Sequence, residues 1–77
     1  MVIDLTEMRT GETGLVEGLG GGQAFVKKVQ SMGIRPGKKI KKISSHFWGG
    51  PQTVEVDNLS LAVGFGMAKK ISVRVER

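Results

Sequence analysis

The clearest alternation of apolar and polar positions runs through Thr53-Val54-Glu55-Val56-Asp57, which predicts a strand with Val54 and Val56 facing inward. Asp57-Asn58 is a hairpin turn signal, and Leu59, Leu61 and Val63 alternate again after it. Gly64-Phe65-Gly66 breaks the run before Ile71, Val73 and Val75, which predict the last strand. Nearer the N-terminus, Thr13 to Leu19 reads as the first strand, with Leu15 and Val16 apolar. Lys38 to Ser45 should be a strand too, yet Ile40 and Ile43 are three residues apart, and strict alternation would put them on opposite faces. A bulge or sharp bend near Lys41-Lys42 would reconcile the two.

One segment has a different period. Gln23 to Met32 carries Phe25, Val29 and Met32 at i, i+4 and i+7, with Val26 beside them, while Lys27, Lys28 and Ser31 point elsewhere. A helix this short does not hold in isolation, so it must pack against something. Gly33 is placed to end it in a left-handed cap, Pro36 pushes Arg35 into an extended conformation, and Pro36-Gly37 is a turn signal. Upstream, Asp4 followed by Glu7 is a capping-box variant that predicts one helical turn between Ile3 and Arg9, and Thr10-Gly11-Glu12 turns the chain. Gly20-Gly21-Gly22 and His46 to Gln52 read as loops. Short strands at this spacing with one early helix predict a mainly β domain over residues 1–77, a small barrel or sandwich of about five strands. The helix would lie across one end and bury Phe25 and Val29.

Charge and composition narrow the functional classes. The net charge is +5, and Arg35, Lys38, Lys39, Lys41 and Lys42 supply five of the twelve basic residues within eight positions; Lys69-Lys70 is a smaller cluster. Such a run suits nucleic acid, anionic lipid or an acidic protein surface, or else a solvated edge strand whose lysines discourage sheet association. No cysteine is present, so disulfides and thiolate metal sites are excluded. With neither a signal-peptide pattern nor ~20 consecutive apolar residues, the expectation is a soluble, cytoplasmic protein.

Catalytic equipment is sparse. One histidine and no cysteine or tyrosine leave no nucleophile–base pair to assemble, so no enzyme is expected. Gly20-Gly21-Gly22 before a helix invites a phosphate-binding reading, but Gln23 stands where the dinucleotide motif needs its third glycine. Gly37-Lys38 fails the P-loop pattern, being followed by lysine rather than Ser or Thr. His46 alone is not a metal site, because zinc or ferrous iron needs three or four donors. No metal site and no cofactor are expected, and an association with Fe²⁺ has no ligand cluster behind it. Phe47-Trp48, in a glycine-flanked loop, is either an exposed interaction anchor or a cap on the core. Next to the lysine run it could also stack on bases.

Taken in order, several segments resemble the ferrous iron transport protein A (FeoA) family. Met32-Gly33-Ile34-Arg35-Pro36-Gly37 is similar to its helix-end "LGI-x-PG" signature, and Leu5 to Gly11, with Met8 as the second apolar position, to its opening "L-x-x-L-x-x-G". Gly14-Leu15-Val16 resembles its first strand, Gly50-Pro51 with Thr53 to Val56 its "GP-x-x-V-x-V", and Ala68 to Val73 its closing "A-x-x-I-x-V". Lys28-Val29 departs from the family's usual Arg-Leu, losing a guanidinium's two-pronged reach. The resemblance implies an SH3-like barrel and a cytosolic accessory of the FeoB-type membrane permease that imports Fe²⁺, recruited to the membrane's inner face by that partner. A similar domain closes some metal-dependent repressors, but the DNA-binding part is absent here. The expected contact surface is Lys28 and Met32 on the helix, Arg35, Pro36 and Gly37 at the corner, and Phe47 and Trp48 in the loop. The alternatives are a basic nucleic-acid-binding barrel using Lys38, Lys39, Lys41 and Lys42 with Trp48, and direct metal binding through His46 and carboxylates. Homo-oligomer formation is left open.

Overall fold

Local chemistry sets most of the turns. In the computed structural model of the chain, which describes residues 1–45 and 49–77, Asp4 caps a 3₁₀ turn over Leu5–Glu7. Its carboxylate accepts from the Thr6 N–H at 2.8 Å, and the Asp4 N–H donates to the Glu7 carboxylate at 3.1 Å, closing the capping box. The helix α1 (Gln23–Ser31) ends as expected. The Ile34 N–H donates to the Val29 carbonyl and the Gly33 N–H to the Gln30 carbonyl, with Gly33 at φ +92°. Val29 and Ile34 are both fully buried in the core, which completes a Schellman motif with its apolar contact. Gly33→Ala forces a side chain into this left-handed position, although the space around it is open. It is expected to lower stability by about 1 kcal/mol in urea titrations, with α1 fraying first.

Among the described residues six strands follow from the alternation and from one pairing that it does not signal: β1 (Val2–Asp4), β2 (Thr13–Leu19), β3 (Lys39–Ser45), β4 (Gln52–Val56), β5 (Leu59–Val63) and β6 (Ile71–Arg74). All neighbours are antiparallel, in the order β1-β6-β2-β3-β4-β5. The count exceeds the expected five because Val2–Asp4 pairs with the C-terminal strand. The Met1 amino group donates to the Val75 carbonyl, and the Val75 N–H returns a bond to the Met1 carbonyl, so the two ends of the chain lie side by side. A four-residue helix α2 (Phe65–Ala68) also forms, where the sequence reads only as a break. Asp57 and Asn58 both have positive φ, 52° and 66°, as a type I′ hairpin turn requires.

The core joins inward residues of the sheet to both helical ends. Val16, Ile40, Val54, Val56, Val63, Ile71, Val73 and Val75 come from the sheet side, Leu5 and Met8 from the 3₁₀ turn, Val29 from α1 and Ala68 from α2. Val29 is buried as expected, whereas Phe25 is only partly covered. Along β3 the expectation needs correction. The irregularity lies between Lys42 and Ser44, one position later than expected, and it does not bring Ile43 inward. Ile43 is 37% exposed; Ile40 and Lys42 take the inward positions. No helix among the described residues is long and apolar enough to cross a membrane.

Candidate docking surface

The corner after α1 is a rigid, exposed feature. The Lys38 N–H donates to the Arg35 carbonyl, Pro36 sits at the second turn position, and Gly37 has φ +90° at the third, the pattern of a type II turn. The turn is sewn to β2: the Gly37 N–H donates to the Val16 carbonyl at 2.7 Å and the Val16 N–H to the Lys38 carbonyl at 2.8 Å. Arg35, Pro36 and Gly37 are therefore exposed on a backbone held from both sides. Met32 caps α1 and is half-buried against the core, and Lys28 is exposed one turn earlier. The structure thus groups these five expected contact residues at the end of α1. His46, Phe47 and Trp48 lie outside the described residues.

Gln52, a loop residue by sequence, is the first residue of β4 and joins it to the end of β3. Gln52 is buried, its Nε2 donates to the Gly50 carbonyl at 3.2 Å, and its Oε1 accepts from the Ser45 hydroxyl at 3.1 Å. A buried amide with both ends satisfied ties the last residue of β3 to the first of β4.

The lysine run does not form one basic patch. Lys42 is fully buried, and its ammonium donates to the Leu5 carbonyl at 2.9 Å and the Met8 carbonyl at 3.3 Å. Burial pushes its pKa down, opposed by the nearby charges of Asp4 and Glu12. Lys38 pairs with Asp57 at 2.8 Å, and Lys41 stands directly across the strand pair from Glu55. Lys39 and Lys41 line shallow hollows of about 360 and 240 Å³ on the outer sheet face, shared with Glu12, Glu55, Asp57 and Glu76. Acids are therefore interleaved with the cations, and the lysine run does not present one continuous basic stripe. Lys70, from the second cluster, lies 5.2 Å from the Phe25 ring centroid, and its carbonyl accepts from the Gly20 N–H. The triple glycine thus joins α1 to the start of β6.

Two further ion pairs tie β2 and the residue before it to the C-terminal segment. The Arg74 guanidinium grips Glu17 through two hydrogen bonds and holds its carboxyl below the usual range. Arg77 does the same to Glu12, helped by the Arg9 N–H, and also donates to the Glu7 carbonyl. Among the described residues no three carboxylate or imidazole side chains stand close enough to hold a metal ion.

No curated protein sequence matches the chain. The crystal structure of an iron uptake regulatory protein (FeoA) superposes with a TM-score of 0.87 at 36% identity, covering 96% of each chain. A FeoA-like protein from Clostridium acetobutylicum gives 0.86 at 26% identity, over 99% of this chain and 88% of that one. A manganese-dependent transcriptional repressor gives 0.88 at 21% identity, over 97% of this chain but only 42% of its own, a likeness of fold alone. The sheet with its short helix has the SH3-like fold of these structures. The model of the FeoA domain matches residues 3–75. The chain belongs to the FeoA domain family.

Proposed function

We propose that the chain is a non-enzymatic accessory of ferrous iron uptake that binds the cytoplasmic part of a FeoB-type membrane permease. The single observation that carries this reading is the family match over nearly the whole chain, together with the likeness to an iron uptake regulatory protein. The sequence supports binding rather than catalysis, with one histidine and no cysteine or tyrosine. The docking surface is the corner: Arg35, Pro36 and Gly37 with Lys28 and Met32 behind them, and Phe47 and Trp48 as further anchors. A rigid corner suits this task, because contact residues already held in place lose little entropy on binding. Fe²⁺ is the permease's cargo, and the accessory acts by favouring one permease state over another through different affinity for each. It works in the cytoplasm, at the membrane's inner face.

The test is a pull-down with this chain as bait from detergent lysate of its own cell at moderate salt. The permease is expected in the eluate and is lost, or reduced at least tenfold, with Arg35→Ala, while the circular dichroism of that variant is unchanged. Ferrous uptake should fall or rise when the protein is deleted; uptake that stays the same removes the reading. Nucleic acid in the eluate, released by added salt, would put the lysine run back in its place.

A further inference from the structure

The net charge is not spread evenly over the molecule. No aspartate or glutamate occurs between Glu17 and Glu55, or between Asp57 and Glu76. Lys27 and Lys28 on α1, Arg35 at the corner, and Lys69 and Lys70 after α2 fall in these stretches. All five are exposed, and among the described residues none of them joins an ion pair. The other seven basic residues are matched by the seven acids, with Lys38 on Asp57, Arg74 on Glu17, Arg77 on Glu12 and Lys41 opposite Glu55. The five free cations therefore equal the whole net charge of +5. Lys70 brings its cluster to α1: its carbonyl accepts from the Gly20 N–H at 2.7 Å, and its ammonium lies 5.2 Å from the Phe25 ring centroid. Lys69 covers the half-buried Phe65 in the same way, at 5.4 Å. On α1, Lys27 is two residues from the buried Val29 and so projects from the opposite side of the helix.

We propose that the outer side of α1 and the adjoining Lys69-Lys70 segment dock on the anionic headgroups of a lipid bilayer. Lys27, Lys69 and Lys70 supply the charge, and Phe25 and Phe65 the apolar body beneath it. Charge complementarity selects an anionic partner, and the residue types select a bilayer. Four of the five free cations are lysine. A lysine ammonium is a strongly hydrated point charge on a flexible stem, and protein–protein interfaces are depleted of lysine and enriched in arginine. Such groups suit a fluid layer that demands no fixed geometry. A lysine lying over a half-buried ring is an interfacial pairing, with the ring towards the acyl boundary and the ammonium among the headgroups. Nucleic acid is disfavoured, because base stacking needs open ring faces and lysines lie over these two. Contact through so few charges is weak and reversible, and stable anchoring takes a second signal. The permease contact at Arg35-Pro36-Gly37 supplies that signal, a step that rests on the proposed function; the lipid contact itself does not.

Co-sedimentation of the full chain with vesicles tests this without the permease. The chain should bind phosphatidylcholine vesicles that contain phosphatidylglycerol, leave pure phosphatidylcholine vesicles unbound, and be released by added salt. Each lysine near an anionic surface is worth about fivefold in affinity, so Lys27→Gln with Lys70→Gln should weaken binding about 25-fold. Lys27→Gln alone, at an exposed helix position, should cost about fivefold and keeps the test open if the double variant misfolds. Lys39→Gln with Lys41→Gln removes the same charge from the outer sheet face and should stay within about twofold of wild type, because exposed charges away from the contact are screened. No binding to the anionic vesicles overturns the proposal, as does equal binding to the neutral ones. Equal losses from the two double variants would make net charge, and not this face, the cause, and overturn it too. In non-ionic detergent the Lys27, Lys70 double variant should still capture the permease; its loss there would give the face to a protein partner and overturn the lipid assignment. A wild-type chain that binds anionic vesicles but captures no permease would remove the proposed function and leave the lipid contact standing.

Discussion

Lys42→Met should lower the stability of the chain by about 2 kcal/mol and loosen its N-terminal turn first. Lys42 reaches through the core to the Leu5 and Met8 carbonyls, and the Leu5 oxygen has one further donor, the Met8 N–H at 3.3 Å. Leaving a buried acceptor without its donor costs ~1–3 kcal/mol, and relief from desolvating a charge offsets part of the loss. A net loss of about 2 kcal/mol is a large share of the roughly 4–12 kcal/mol expected for a domain of this length. Methionine keeps the volume, so the change reports the ammonium and not a cavity. Urea titration gives the loss, and hydrogen exchange should show opening confined to Asp4–Met8. The pH profile carries a separate signature. Burial depresses the native pKa of Lys42, so the unfolded chain holds this proton more firmly. Stability should therefore rise as pH climbs from that depressed value towards the ordinary one near 10.5, and this rise should vanish in Lys42→Met.

Gly14→Ala should cost more, about 3 kcal/mol, at the upper end of what overpacking a core costs. Gly14 is buried on β2, and a Cβ there would lie 2.6 Å from both the Arg74 carbonyl oxygen and the Val73 Cγ1, and 3.0 Å from the Val75 Cγ1. The nearest obstacle is main chain, so no rotamer change relieves it, and β2 and β6 must move apart. Gly18→Ala, on the same strand with nothing within 4 Å, should stay within about 0.5 kcal/mol of wild type. The urea midpoint should drop for the first variant, with an unchanged slope, and barely move for the second. Equal effects from the two would show that loss of glycine, and not the clash, sets the cost.

These two positions mark the limit of what is legible along the chain. The capping box at Asp4 and Glu7, the Schellman end at Gly33-Ile34, the Pro36-Gly37 turn and the Asp57-Asn58 hairpin can all be read from neighbouring residues, because each depends on interactions spanning a few positions. The alternation of β4 and β6 is equally plain. Val2–Asp4 carries no signal of its own, since three residues become a strand only because β6 lies beside them. The four residues of α2, with Gly66 at their centre, are too few to show a helical period. The corner residues were legible as a corner, and the chain-order resemblance pointed to them. Gln52 gave no signal, because its partners Ser45 and Gly50 meet it only once β3 and β4 pair.

The sequence alone determined the mainly β class, the positions of the turns and the inward valines of β4, because propensity, capping and alternation act over short separations. Only the tertiary structure decided which residues of β3 face inward. Lysines that look equivalent in Lys38-Lys39-Ile40-Lys41-Lys42 are separated by strand parity. One is driven into the core to meet carbonyls contributed from 34 and 37 residues away, and others are set opposite the acids of the next strand. A shift of one residue in register exchanges the faces of a whole strand, so facing belongs to the assembled sheet and not to any stretch of the chain.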